Sequence, residues 1–239
     1  QALALAEKGA DIIDVGGQST RPGAEQISVE EELERVLSVI KIIRPKINIP
    51  ISVDTTRATV ANQAVIAGAD IVNDISGGTF DSSMFSTVAS LNVPIVLMHI
   101  RGTPQTMQRM TDYQDVIEEI FNFLLQQITA ATAAGIKREN IIIDPGIGFA
   151  KNLEQNLEIL RRLTELKKLN CPILVGPSRK SFIGRILTQP DPKGRVWGTA
   201  AACCAAIFNG ADILRVHDVE QMRDVSMVAD ALARPNQSN

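Results

Sequence analysis

The chain has little cysteine, and what it has is poorly placed for bridging. Only Cys171, Cys203 and Cys204 occur among 239 residues. The number is odd and two are adjacent, so no disulfide framework and no metal-type spacing is implied. A reducing, cytoplasmic setting is the expectation. Histidine is scarcer still, with His99 and His217 alone. Basic excess is absent: 24 Lys and Arg against 27 Asp and Glu leave a net charge of −3. That argues against nucleic acid as a main partner. A local anion site stays open, because local charge is not net charge. No apolar run approaches the ~20 residues that span a bilayer, the longest small-apolar stretch being residues 199–208. No secretory signal is visible. No Pro/Ser-rich linker divides the chain, so one domain over residues 1–239 is expected.

What is present is a repeated polar punctuation. Seven short apolar runs each end in a polar residue that helix–strand packing does not require. They end at Asp14, Asp54, Asn73 and Asp74, His99, Asp144, Ser178 (after Gly176), and Arg215 with His217. Apolar on both sides, each run reads as a buried parallel strand. Stretches of helical spacing lie between them. A (β/α) barrel, for which ~250 residues is typical, keeps its chemistry at the C-terminal strand ends.

Gly-Ala-Asp-Ile occurs three times, at Gly9, Gly68 and Gly210, each time after a helical stretch and before a strand. A left-handed glycine ending a helix would turn the chain directly into the strand. Gly135-Ile136 is a longer version. Ser28 and Glu31 are spaced as a capping box. Asn152 can cap the helix carrying Leu157, Leu160 and Leu163, and residues 114–134 read as one long helix. The small-residue helix 198–208 suits close packing on the barrel or on a second subunit.

Seven strand candidates are one short of a closed barrel. The chain opens in a helical stretch, so the expected class is α/β, a (β/α)8 TIM barrel with the first strand missing from this chain.

Several segments carry candidate chemistry. Gly16-Gly17-Gln18-Ser19-Thr20-Arg21-Pro22-Gly23 is a glycine-flanked loop with one cation and two hydroxyls, fit to clamp an anion; alone it reads equally well as an ordinary turn. Asp144-Pro145-Gly146-Ile147-Gly148-Phe149 leaves Asp144 at a strand end, able to accept from a ring N–H, with Phe149 as an apolar wall. A lone aspartate there would be a helix cap. Gly176-Pro177-Ser178-Arg179-Lys180-Ser181-Phe182 sets two cations at a strand-to-helix junction, an anion or carbonyl site, although two surface cations are the commoner meaning. Arg215 and His217 share a strand face, and phosphate contact is preferred for that pair. A structural role is preferred for His99. Asp54, Asn73 and Asp144 are three acceptor-bearing groups at strand ends, suited to a planar heterocycle with several N–H donors.

Taken together, Asp14 to Gly23, Ser52-Val53-Asp54-Thr55, Asn73-Asp74, Met98-His99, Asp144 to Phe149, Ser178 to Phe182 and Arg215 to Asp218 resemble dihydropteroate synthase, collinearly and over nearly the whole chain. The resemblance implies a transferase of folate biosynthesis and a sulfonamide target, joining 4-aminobenzoate to a dihydropterin diphosphate. It implies that Asp54, Asn73, Asp144 and Lys180 hold the pterin, with Met98 and Gly176 lining its pocket. Arg215 and His217 would take the diphosphate, and Thr20, Arg21, Phe149 and Ser178 would shape the aminobenzoate site. Lys180, Asp54 and Asp144 would be the catalytic groups. Mg²⁺ and a homodimer are further implications. The family's Asn metal ligand sits in a loop of the type Asn-Val-Thr-Pro-Asp-Ser-Phe-Ser, which this sequence lacks, so no metal ligand is assigned in this chain. Two rivals stand beside this reading. A corrinoid-type pterin methyltransferase would have no use for an aminobenzoate site, so Thr20-Arg21 and Ser178-Arg179-Lys180 argue against it. A non-catalytic pterin-binding protein would bind without turnover.

Overall fold

A computed structural model describes residues 1–21 and 23–234; Pro22 and residues 235–239 lie outside the described residues. The elements alternate as α1 (Ala2–Glu7), β1 (Ile13–Gly16), α2 (Val29–Ile43), β2 (Ile51–Asp54), α3 (Ala58–Ile66), β3 (Ile71–Asp74), α4 (Met84–Leu91), β4 (Ile95–Met98), α5 (Val116–Ala133), β5 (Ile141–Asp144), α6 (Leu153–Arg162), β6 (Leu174–Val175), α7 (Ser181–Ile186), α8 (Val196–Phe208), β7 (Ile213–Leu214) and α9 (Val219–Ala233). Every one of the seven apolar runs contains a strand.

The strands are parallel and follow chain order. β1 to β5 form one ladder and β6 pairs β7, with the Ile143–Ile173 bridge joining the two sheets. This is the α/β TIM-barrel arrangement, strand inside and helix outside. β6 and β7 are two residues each, shorter than their apolar runs. Beyond Val175 come Gly176 and Pro177, and Pro177 has no N–H to extend a ladder. Among the described residues no backbone pairing joins β7 to β1. Side chains cross there instead. Lys8 meets Glu220 at 3.1 Å, and Arg223 donates to the Gly9 carbonyl at 2.7 Å.

The main core lies between sheet and helices. Ile51, Val53, Val72, Ile95, Leu97, Ile141, Ile143 and Val175 face outward onto Val36, Ile40, Val60, Met84, Val88, Ile120, Leu124 and Ile159. The helix-to-strand junctions behave as the repeat indicates. Gly9, Gly68, Gly135 and Gly210 all have φ between +89° and +114°, a region that costs other residues ~1–2 kcal/mol. The repeat's aspartates have work of their own: Asp70 accepts from Ile51 N at 2.8 Å and Asp212 from Ile173 N at 2.9 Å, each tying its turn to the neighbouring strand.

Helix ends differ in detail from the sequence reading. Ser28 accepts from Glu31 N at 3.1 Å, but Glu31 turns away and pairs with Arg35 at 2.5 Å, so only half of that capping box forms. The full reciprocal box is at Asn152 and Gln155. α5 starts at Val116 because Asp115 caps it, accepting from Ile117 N and Glu118 N.

Candidate active site

A second, smaller apolar cluster explains why the polar strand ends converge. Ile71, Val96 and Leu174, with Ile12, Ile142 and Ile213 packed on them, form a layer separate from the main core. Side chains on a strand return to the same face every second residue. Two residues past that layer stand Asn73, Met98, Gly176, Asp14, Asp144 and Arg215. They form the next layer up, at the barrel mouth. Asp54 joins them at the end of β2, paired in register with Asn73. Asp54, Asn73 and Asp144 are only 6%, 5% and 7% exposed.

One arginine ties the acceptors together. Arg215 donates through Nε to Asp14 Oδ2 at 2.6 Å and through Nη2 to Asp54 Oδ2 at 2.9 Å. Asn73 Nδ2 also donates to Asp14 Oδ2, at 3.3 Å. Asp14 Oδ1 is buried without a partner. Burial, and then the neighbouring Asp14 charge, push the Asp54 carboxyl up to about 7, with Arg215 opposing. Asp144 accepts from Gly146 N at 2.7 Å. Burial raises its pKa against the pull of Lys180.

The basic side is built by loops. Lys180 donates to the Ile147 carbonyl, and its Nζ lies 4.6 Å from the centre of the Phe149 ring. Burial lowers its ammonium to about 8, although Asp144 favours the charge. Ser178 Oγ lies 2.9 Å from His217 Nδ1 and accepts from His217 N at 3.2 Å. With that backbone donor on its oxygen, the hydroxyl is free to donate to Nδ1. That leaves Nε2 as the N–H aimed elsewhere. Burial, with Arg179 and Arg215 nearby, lowers the His217 pKa. Arg179 is not part of this cationic pair: it donates to Asp218 Oδ2 at 2.9 Å, and its backbone N–H donates to Thr199 Oγ1 at 3.0 Å.

The loop after β1 completes the mouth. Gln18 straps it, donating to Glu25 O and accepting from Ile27 N, both at 2.9 Å. Thr20 is half-buried beside Asp54 in a small cleft also lined by Ile75, Phe80 and Thr103. Arg21 is exposed on the loop near His217. Of the strand-end acceptors, Asp54 alone lines this cleft.

The sequence of a family described as "Pterin binding enzyme" matches residues 1–217. A dihydropteroate synthase of Synechocystis is 60% identical over 234 residues, covering 98% of this chain and 81% of that protein. The Bacillus subtilis dihydropteroate synthase is 46% identical, covering 97% and 78%. The Yersinia pestis dihydropteroate synthase, solved with a sulfonamide drug, superposes with a TM-score of 0.94 at 38% identity, covering 97% of this chain and 83% of that one. The Xanthomonas albilineans enzyme with 4-aminobenzoic acid gives 0.92 at 42% identity, covering 97% and 82%. The chain belongs to the dihydropteroate synthase family.

Against a dihydropteroate synthase, three features of the site went unread in the sequence. Asp14 holds Arg215, and the period-two spacing from Ile12 would have revealed it. Glu32, buried on α2, accepts from Thr55 Oγ1 at 2.6 Å and from Arg57 at 2.9 Å, while Arg57 also donates to Ile27 O at 2.6 Å. This pins the bases of the two loops at the dihydropteroate synthase mouth. Lys151 is buried beneath the loop of residues 144–149, and no pattern marks it. Among the described residues no three His, Cys, Asp or Glu side chains gather as a metal site. Mg²⁺ is commonly held by one or two carboxylates together with substrate phosphates and water, and no residue is assigned to it.

Proposed function

We propose that this chain condenses (7,8-dihydropterin-6-yl)methyl diphosphate with 4-aminobenzoate to give 7,8-dihydropteroate and diphosphate. The observation that carries the reading is the convergence of Asp54, Asn73 and Asp144, all buried, on one layer closed by Arg215. A pterin edge rich in N–H groups satisfies such acceptors. Lys180 then lies between Asp144 and Phe149, within reach of the ring. Met98 and Gly176 wall the pocket. Nε2 of His217 and the guanidinium of Arg215 face the diphosphate, and Thr20, Arg21, Phe149 and Ser178 frame the aminobenzoate.

The chemistry needs no protein nucleophile. The methylene C–O bond breaks and its electron pair leaves with the diphosphate, whose charge Arg215 and His217 spread. The pterin-methyl cation left behind is stabilised by its electron-rich ring and by the carboxylates of Asp54 and Asp144. The aryl amine's lone pair forms the C–N bond and the amine then loses a proton. Lys180 keeps the pterin in place while this happens.

Residues 1–239 are read as one pterin-binding barrel domain acting on small molecules. A homodimer fits the exposed Trp197 and Phe208 of α8 and Leu232 of α9. Cytoplasmic residence fits three free cysteines, and no described helix is long and apolar enough to cross a membrane.

Calorimetric titration with a dihydropterin tests the pocket. Asp54→Asn, Asn73→Ala and Asp144→Asn should each weaken binding by about tenfold or more, as lost hydrogen bonds to buried groups do, with turnover falling alongside. Unchanged affinity in all three would sink the reading.

A further inference from the structure

The loop of residues 144–149 is gripped from two sides by two different lysines. Lys180 takes the Ile147 carbonyl from above. From below, Lys151 Nζ donates to the Phe149 carbonyl at 2.8 Å, to His99 Nδ1 at 2.9 Å and to the His99 carbonyl at 3.4 Å. Lys151 is 4% exposed, and these partners are all neutral. Burial, opposed by Asp144, lowers the Lys151 pKa well below the ordinary lysine value, and the side chain is held in place by its hydrogen bonds.

The surroundings are fixed as tightly as the lysine. His99 follows β4, and its N–H donates to the Asp144 carbonyl at 3.0 Å. Its ring meets Phe123 edge-on at 5.0 Å. Burial, with Lys151 and Arg101 beside it, holds the ring neutral, at about 2, and Nδ1 is the ring nitrogen that faces Lys151. Gly146 passes so close that a Cβ there would lie 2.0 Å from the His99 carbonyl oxygen and 3.2 Å from Lys151 Nζ. Gly148 N donates to Asn156 Oδ1 at 2.6 Å, and Asn156 Nδ2 donates to the Lys151 carbonyl at 3.2 Å. The Lys151 amine thus has three polar partners, two on the β4 end and one on the loop. The loop residue held is Phe149 itself.

We propose that Lys151 is a positioning residue for the second substrate: its buried amine locks the Phe149 carbonyl to the end of β4, and so sets where the Phe149 ring stands at the aminobenzoate side of the site. The proposal rests on the dihydropteroate synthase reading of that site. Lys180 keeps its bond to the Ile147 carbonyl, and the pterin acceptors on the strands keep their places when Lys151 is altered. The effect should therefore divide between the two ligands. Releasing Phe149 costs aminobenzoate affinity and leaves pterin affinity alone.

Lys151→Gln keeps an amide NH₂ donor group but is shorter and cannot reach all three partners. Calorimetry with dihydropterin, and then with 4-aminobenzoate on protein saturated with dihydropterin and inorganic diphosphate, reads the two dissociation constants. We expect the aminobenzoate constant to rise by about tenfold, the loss of one hydrogen bond to a buried group, and the pterin constant to stay within about twofold of wild type. Unchanged aminobenzoate binding in folded Lys151→Gln, or equal weakening of both ligands, overturns the proposal. Where Lys151→Gln fails to fold, His99→Gln is judged by the same split. Failure of both to fold makes the pair purely structural and also overturns it. Wild type that binds both ligands and yields no dihydropteroate counts against the functional reading, while the binding split still decides the role of Lys151.

Discussion

Arg215 reaches from the end of β7 to Asp14 on β1, its Nε 2.6 Å from Oδ2, and so joins the two strands that share no backbone hydrogen bond. The same guanidinium holds Asp54 at 2.9 Å. A diphosphate arriving at the mouth meets a cation already aimed and half-exposed.

Arg215→Ala should therefore weaken a diphosphate-bearing pterin more than a diphosphate-free one. Charged hydrogen bonds contribute ~1.5–3 kcal/mol. Solvent screening at this half-exposed side chain puts the loss at the low end, about tenfold. Equal weakening of both ligands in calorimetric titration would remove Arg215 from the diphosphate site.

The pH profile of kcat/KM should be a narrow bell. Asp54 loses its proton at about 7, so acceptor capacity falls on the acid side. Lys180 loses its charge at about 8, so activity falls again on the alkaline side. Lys180→Arg should move the alkaline limb upward by retaining the charge, and an unmoved limb would detach Lys180 from it. Lys180→Ala should lower turnover by roughly 10²–10³-fold. Its melting temperature should stay close to wild type, because the lysine stands at the loop-lined mouth and not in the aliphatic core.

Stability should follow Asp54 in the opposite sense to a salt-bridged surface carboxylate. Its pKa is 3.8 in the unfolded chain and about 7 in the fold. Between those values the folded protein holds a proton that the unfolded chain has released. This contribution is complete below 3.8 and is lost as the pH rises through 7. Asp54→Asn should thus melt higher than wild type at pH 8, by about 2–4 °C for each ~1 kcal/mol relieved, and show little gain at pH 4, while losing activity. A gain confined to acid pH, followed by scanning calorimetry, would contradict the burial of this carboxyl.

Gly146 and Gly23 both have positive φ, at +71° and +77°. Gly23 has open space where a Cβ would go, whereas at Gly146 that atom would lie 2.0 Å from a backbone carbonyl oxygen. Gly23→Ala should cost only the ~1–2 kcal/mol of the left-handed conformation. Gly146→Ala must also displace the end of β4, and should cost on the order of 3 kcal/mol or more. Urea denaturation of the two variants compares them directly, and equal midpoints would mean that the loop lies elsewhere.

The sequence showed its architecture wherever a local period carried it. Apolar runs marked all seven strands, and Gly-Ala-Asp-Ile marked three of the junctions, because a helix end, a left-handed glycine and a strand start are adjacent in the chain. The strand-end acceptors Asp54, Asn73 and Asp144 were legible for the same reason. What stayed hidden depends on partners far away in sequence. Lys151 finds His99 52 positions away, and Arg215 finds Asp14 across 201. Nothing local separates Arg179, held by Asp218, from Lys180, which faces the site. Glu31 fitted a capping box and chose Arg35, since an i,i+4 pair on an exposed helix face competes with the cap.

Product analysis of wild-type protein tests the central claim most directly. With dihydropterin diphosphate and 4-aminobenzoate both present, one dihydropteroate should form for each diphosphate released, and a sulfonamide should raise the KM for 4-aminobenzoate without lowering kcat. Tight binding of the pterin with no dihydropteroate formed would make the chain a pterin-binding protein and contradict the assignment.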